Sequence, residues 1–326
     1  MSPRFASRRG LVAAAFSFRQ NSGRLRGNLS WVRFPPSPLL TGALGFLQSP
    51  AGGEIPVVLR PRRAAGYGAR VSAATDLRRV SATRYVTPLR EGGSLPGLLE
   101  ADDGGLYVTK FRGAGQGTLA LVAELIVGEL ARAVGLPVPE QVIIRIDPAL
   151  GLAEPDPEIQ DLIVASAGEN LGVDFLPGAA GYSPALGWTP DPQLAANVVW
   201  LDGLVTNVDR TARNPNLLLW HDQLWLIDHG AALYLQHRGL RPAEQAGRPF
   251  PQIAEHVLLR AAGSITAADD RLAPRIDLAL LESIVDLVPG DWFAGDRAAT
   301  YAEYLARRLE QPRQFVQEAE NARSSA

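Results

Sequence analysis

The sequence predicts an α+β fold in two lobes, a β-rich first lobe and a mainly helical second lobe. Three observations predict it. Between Tyr85 and Phe111, short β-type runs alternate with Gly-, Pro- and Asp-rich breaks. From Asp191 onward, apolar residues recur at helical spacing. Early in that second part, Leu217-Leu218-Leu219-Trp220 and Leu224-Trp225-Leu226-Ile227 flank the polar pair His221-Asp222, which reads as a buried β-hairpin. The expected division is a tail over 1–80, a first lobe over 81–177 and a second over 178–326.

At 326 residues the chain is long enough for two lobes, and 46% hydrophobic with 20% charged residues is ordinary for a globular protein. It has no cysteine, which excludes a disulfide framework, a thiolate zinc site and a cysteine nucleophile. The four histidines, His221, His229, His237 and His256, show no metal-ligand pairing. No apolar run approaches the ~18–20 residues of a membrane span, and a soluble, cytoplasmic product is expected. The net charge of −2 hides an asymmetry: residues 1–80 carry thirteen Arg against Glu54 and Asp76, so the remainder is acidic. An acidic body argues against nucleic acid as a partner.

Residues 1–80 sustain neither a helical nor a strand period, and Pro35-Pro36, Pro38, Gly52-Gly53 and Pro61 interrupt them. Three readings compete: a transit peptide, from the Arg- and Ser-rich start; a weak signal peptide around Leu11–Phe18; and a disordered tail or sequence upstream of the true start. The last is the favoured expectation. Order is expected to begin near Arg84. Tyr85-Val86-Thr87-Pro88 reads as a strand, and 90–97 as a loop holding Gly92, Gly93 and Ser94, whose backbone N–H groups could approach phosphates. Leu98-Leu99-Glu100 returns as a strand, Asp102-Asp103-Gly104-Gly105 turns, and Leu106–Phe111 is a third strand. It carries Lys110, the sole lysine beside 31 arginines. In so Arg-biased a chain, a compact ammonium at this position points to a specific task, here contact with nucleotide phosphates.

Thr118–Val134 reads as a helix closed by Gly135 before Pro137. Glu124 and Glu129 lie in it, with Glu129 expected to face solvent. Val138–Ile146 reads as a strand and Asp156–Ala167 as a short helix. Asn170–Pro177 is a crossing segment in which Phe175 and Leu176 could meet an adenine. Helices are expected over Asp191–Val205, Pro251–Ala262, Asp277–Leu287 and Asp296–Glu310, with Asp202 and Glu303 as surface charges. Arg210 and Arg213 read either as phosphate-steadying groups or as partners of surface acids, and His229 and Tyr234 as packing residues.

The hairpin collects three oxygen-bearing side chains, Asp209, Asn214 and Asp228. Hard oxygen donors in a compact site suit Mg²⁺, with phosphate oxygens completing its shell. Their order and spacing are those of a kinase core: a base Asp, an Asn ligand, and a second Asp after a strand pair.

With VTKFRGAGQG, ALVAELIVGELARAVGLPVPE, GENLGVDFLPGA, TNVDRTARNPNLLLW and LWLIDHGAALY, the chain from about Thr83 to Arg323 resembles the HipA-like kinase domain family, within the protein-kinase-like fold. The resemblance implies an ATP- and Mg²⁺-dependent phosphotransferase acting on a hydroxyl acceptor. Lys110 matches the nucleotide lysine, Glu124 its helix partner and Asp209 the base. Asn214 and Asp228 match the metal ligands. Asp-His-Gly stands where protein kinases have Asp-Phe-Gly, and Asn207-Val208 stands where they have His-Arg. The alternative from another class is a nucleotide-binding pseudokinase serving as an interaction module.

Overall fold

The computed structural model describes residues 44–48, 54–58, 76–89, 95–293 and 298–326. The chain divides into two compact units, Met1–Ala64 and Ala65–Ala326. In the first, β1 (Leu44–Gln48) and β2 (Glu54–Val58) form an antiparallel pair with Leu44 opposite Val58. Neither strand was expected, because the stretch around Gly52-Gly53 and Pro61 reads as an interrupted tail.

The second unit opens with a closed barrel. It is built from β3 (Arg79–Pro88), β4 (Gly97–Ala101), β5 (Leu106–Lys110), β6 (Gln141–Ile146) and β7 (Gly168–Asp174) in the order β3-β4-β5-β7-β6. Antiparallel pairs make all but one junction; the parallel contact of Arg79–Ser81 with Ile143–Arg145 closes the ring. That contact explains why β3 begins ahead of the expected Arg84. Val80 is buried, and Arg78 anchors the strand's start by donating to Glu140 Oε1 (2.7 Å), Asp103 Oδ2 (2.5 Å) and Tyr107 Oη (3.0 Å). Leu99, Tyr107, Phe111, Val142, Ile144 and Ile146 form the barrel's own core with Ile159 and Ile163 of α2 (Pro157–Ala165). Asp156 caps α2, accepting from Glu158 N–H at 3.0 Å.

Between β5 and β6 runs α1 (Gly117–Ala133), buried on nearly every side. Its Leu121, Val122, Leu125, Ile126 and Leu130 belong to the larger core shared with the C-terminal helices. Gly135, at φ +83°, ends it: Leu136 N–H donates to Ala131 O and Gly135 N–H to Arg132 O, each at 2.9 Å, the paired bonds of a Schellman close. Tight packing against β6 explains a glycine within the helix, since a Cβ on Gly128 would stand 2.5 Å from Gln141 Oε1. The same packing buries Glu129 to 1% exposure, where a solvent-facing charge was expected; Arg132 Nε reaches it at 3.2 Å.

After the two-residue β8 (Ala180–Gly181) comes α3 (Pro192–Leu204), capped by Asp191, which accepts from Leu194 N–H at 2.9 Å. Beyond its first two residues α3 is wholly buried, and Trp200 sits at its centre with Nε1 on Asp269 (2.7 Å). Its last carbonyls are held by the buried Arg308, which donates to Leu204 O at 2.7 Å and Gly203 O at 2.8 Å. Strands β9 (Leu217–Trp220) and β10 (Gln223–Leu226) form the expected hairpin, and β8 adds to its edge. His221 and Asp222 both take positive φ (50° and 57°), the two-residue turn whose twist matches paired strands.

Five helices complete this part: α4 (Pro242–Gln245), α5 (Ile265–Leu272), α6 (Leu278–Val285), α7 (Ala298–Arg308) and α8 (Gln314–Ser324). The helix expected over Pro251–Ala262 is instead two 3₁₀ turns, Pro251–Glu255 and Leu259–Ala261, with His256 extended between them. His256 is drawn out of helical geometry by its own bonds, described below. Helices α5 and α8 were missed: both are polar outside one narrow apolar stripe. Among the described residues, no helix is long and apolar enough to cross a membrane.

Candidate active site

Lys110 ends β5, opposite Leu171 of β7, and projects toward α1. Its Nζ stands 2.7 Å from Glu124 Oε2 and 2.5 Å from Asp228 Oδ1. Three elements far apart in sequence therefore meet at one ammonium. Glu124 is 2% exposed, the Lys110 side chain 14% and that of Asp228 43%. Burial alone would lower the Lys110 pKa, but its two carboxylate partners outweigh that and raise it. Burial raises the Glu124 pKa despite the lysine, whereas the lysine's charge chiefly holds Asp228 below its ordinary value. The two carboxylates thus differ: one is sealed beneath the ammonium and the other opens outward.

Asp209 lies in the loop between α3 and β9, half-buried. Its N–H donates to Asn207 Oδ1 at 3.1 Å, and its Oδ2 accepts from Asn214 Nδ2 at 2.7 Å. Asn216 Nδ2 stands 3.3 Å from that same oxygen and 3.4 Å from the Asp228 carbonyl. Asp228 takes a left-handed backbone, φ +55°, that a non-glycine residue adopts only where its surroundings impose it. The sequence-predicted Asp209 and Asn214 are thus bonded to one another, and Lys110, Glu124 and Asp228 form a second bonded set. Asn216 joins the two sets.

Under the loop lies a buried polar cluster. Asp202, expected at a helix surface, is 0% exposed; Arg210 Nε reaches its Oδ2 at 2.5 Å, His256 Nε2 the same oxygen at 2.9 Å, and Asn207 Nδ2 its Oδ1 at 3.0 Å. Burial opposes ionisation of Asp202, but Arg210 and His256 hold its pKa far below the carboxylate range. Arg210 is therefore committed to Asp202 rather than to a surface acid or a phosphate. It also donates to the carbonyls of Asn216 and Ile227 and stands 3.1 Å from His229 Nδ1. Burial, with Arg210 adding to it, pushes the His229 pKa down to about 3, so its Nδ1 accepts that bond. Arg213 is exposed. Sequence reasoning passed over Asn207, Asn216 and His256. The usable signal was the density of Asn and Asp over 207–216, where polar side chains outnumber apolar ones between two buried elements.

Phe175 and Leu176 follow β7; the Phe175 N–H donates to Leu106 O at 2.9 Å. Gly92, Gly93 and Ser94 lie outside the described residues. Beside Lys110 a narrow cleft of about 10 Å³ is lined by Phe111, Gln116, Ala120, Leu121 and Gly230. A larger concavity of about 440 Å³ lies on the outer barrel wall between Arg84, Tyr85, Asp147 and Glu154, and includes none of the site residues.

The model of the HipA-like kinase family matches residues 83–319, most of the chain and every residue of this site. The chain belongs to the HipA-like kinase family. Its α+β architecture is accordingly kinase-like, and its general function is that of a kinase. Among solved structures, the Helicobacter pylori proinflammatory kinase CtkA is similar at 13% identity and a TM-score of 0.46, over 76% of this chain and 98% of that one. No curated protein matches the chain.

Proposed function

We propose that this HipA-like kinase is a two-lobed phosphotransferase that moves the γ-phosphoryl group of ATP to a hydroxyl acceptor, with protein Ser/Thr as a candidate, and depends on Mg²⁺. One observation carries the reading: Lys110 Nζ is bonded to both Glu124 and Asp228, 14 and 118 positions away in sequence. A buried glutamate that aims a lysine beside an outward-opening aspartate is the arrangement needed to receive phosphates and their cation.

The donor set fits the metal. Asp228 and Asn214 offer hard oxygen, and no group of three His, Cys, Asp or Glu able to hold a metal occurs among the described residues. Mg²⁺ commonly takes one or two protein ligands and completes its shell with water and phosphate. When bound, it would neutralise charge on the transferring phosphoryl group. Lys110 would contact nucleotide phosphates, and Glu124 would hold it in place. Phe175 has committed its N–H, so its carbonyl and the Leu176 N–H are the groups offered to the nucleobase. Asp209 would orient the acceptor hydroxyl and take its proton. Lys110 engages only Oδ1 of Asp228, which leaves Oδ2 of that half-exposed carboxylate as the oxygen to offer the cation.

Thermal unfolding with and without Mg²⁺ and ATP tests this on the full chain and on Asp228→Ala. A ligand at ~100 times its dissociation constant adds about 2.7 kcal/mol to the folded state. A Mg²⁺-dependent rise in Tm in the parent, lost in the variant, supports the reading. A parent indifferent to millimolar nucleotide defeats it.

A further inference from the structure

Asn216 is 9% exposed and sits at φ +50° immediately before β9. Its carbonyl accepts from Arg210 Nη1 and from Ile227 N–H (3.1 Å), which fixes the left-handed backbone from two sides. Arg210, 1% exposed, is in turn fixed by Asp202 on α3. The side chain of Asn216 points the other way, with Nδ2 near Asp209 Oδ2 (3.3 Å) and the Asp228 carbonyl (3.4 Å). An amide can serve two acceptors at once through its two N–H groups, which a carboxylate or hydroxyl in this place could not. Asn214 donates to the same Asp209 oxygen, so both amides load Oδ2, and Oδ1 bonds to no described residue.

We propose that Asn216, held by Arg210, is a positioning residue for phosphoryl transfer: it fixes the Asp209 carboxylate so that Oδ1 faces the acceptor, and ties it to the backbone of Asp228. The proposal rests on the kinase reading above. As the acceptor oxygen bonds to the γ-phosphorus and the bond from that phosphorus to the ADP oxygen breaks, the hydroxyl proton passes to Oδ1. A carboxylate free to rotate would present either oxygen, and Asn216, acting with Asn214 on the same Oδ2, removes that freedom.

Asn216→Gly tests this, because glycine tolerates the positive φ while losing the amide. ADP formation from ATP and Mg²⁺ is measured on the full chain with a Ser/Thr peptide pool as acceptor, beside Tm and its shift on adding Mg²⁺ and ATP. The expected result is a kcat lower by about ten- to a hundredfold with KM for ATP and both thermal readouts near the parent's, since positioning of a general base carries that order of rate. Arg210→Lys, which keeps charge but loses the fork, should reproduce the kcat loss where it folds; Asn216→Gly decides alone where it does not. An unchanged kcat, or a loss that matches the fraction unfolded, overturns the proposal and leaves the kinase reading standing. A parent that forms no ADP overturns both.

Discussion

Replacing Asp202 by Asn should destabilise this protein far more than its place in the sequence suggests. The carboxylate is fully buried and bonded to Arg210, His256 and Asn207. The amide keeps the volume but removes the charge and turns one acceptor oxygen into a donor, against a guanidinium that cannot lose its proton. Removing one partner of a buried ion pair typically costs about 3–5 kcal/mol. Arg210 retains the carbonyls of Asn216 and Ile227, so the lower end, about 3 kcal/mol, is expected. In a unit of this size each kcal/mol moves Tm by about 2–4 °C, which gives a fall of roughly 6–12 °C. The assay is thermal and urea unfolding of the full chain beside Glu303→Gln. Glu303 pairs with Arg307 at 2.9 Å, but the two side chains are 52% and 42% exposed, so that control should change stability by less than ~0.5 kcal/mol. If both variants unfold within ~0.5 kcal/mol of the parent, the buried-cluster reasoning is wrong.

Acid should weaken the fold before the carboxylates titrate. His229 and His256 are buried with lowered pKa values, so the unfolded chain binds protons that the folded one refuses. Their contribution is complete above ~6.5 and declines as pH falls toward the folded values, by up to ~1.4 kcal/mol per pH unit for each histidine; urea midpoints between pH 7.5 and 5 measure it, and a flat profile contradicts it. Lys110→Met should lower kcat by about 10²–10³ through loss of its phosphate contact, and should lower Tm as well, because Glu124, 2% exposed, loses its paired ammonium. Burial already raises the Glu124 pKa, and protonating this carboxyl without the lysine still costs stability near neutral pH, where the unfolded chain keeps it ionised; an unchanged Tm would contradict that. Arg308→Lys should cost about 2–3 kcal/mol in urea, because one ammonium cannot span the Leu204, Gly203 and Ala246 carbonyls. Parental stability would show that capping α3 from α7 matters little.

Periodicity made the regular elements legible. The strand bearing Lys110, helix α1 with its glycine close, the Asp191-capped α3 and the His221-Asp222 turn all follow local rules, and each forms at or within a few residues of its expected place. What could not be read depends on long-range partners. Arg79–Ser81 is a strand because β6 lies beside it. Residues 251–262 are not a helix because His256 Nε2 is engaged by Asp202, 54 positions away. Asp202 sits at an ordinary helix position, and only tertiary packing turns it from a surface charge into the anchor beneath the loop. The site residues were chosen on residue type and spacing. Asn216 gave no such signal, because its interest lies in the orientation of its side chain at a positive φ.

The most direct test of the kinase reading is transfer of labelled γ-phosphate from ATP in the presence of Mg²⁺, comparing the full chain with Asp209→Asn. The expected result is label on the chain itself or on a Ser/Thr peptide pool, reduced by about 10²–10⁴ in the variant, the span that a general base supplies. Equal labelling by both proteins, or none by either, would contradict the account.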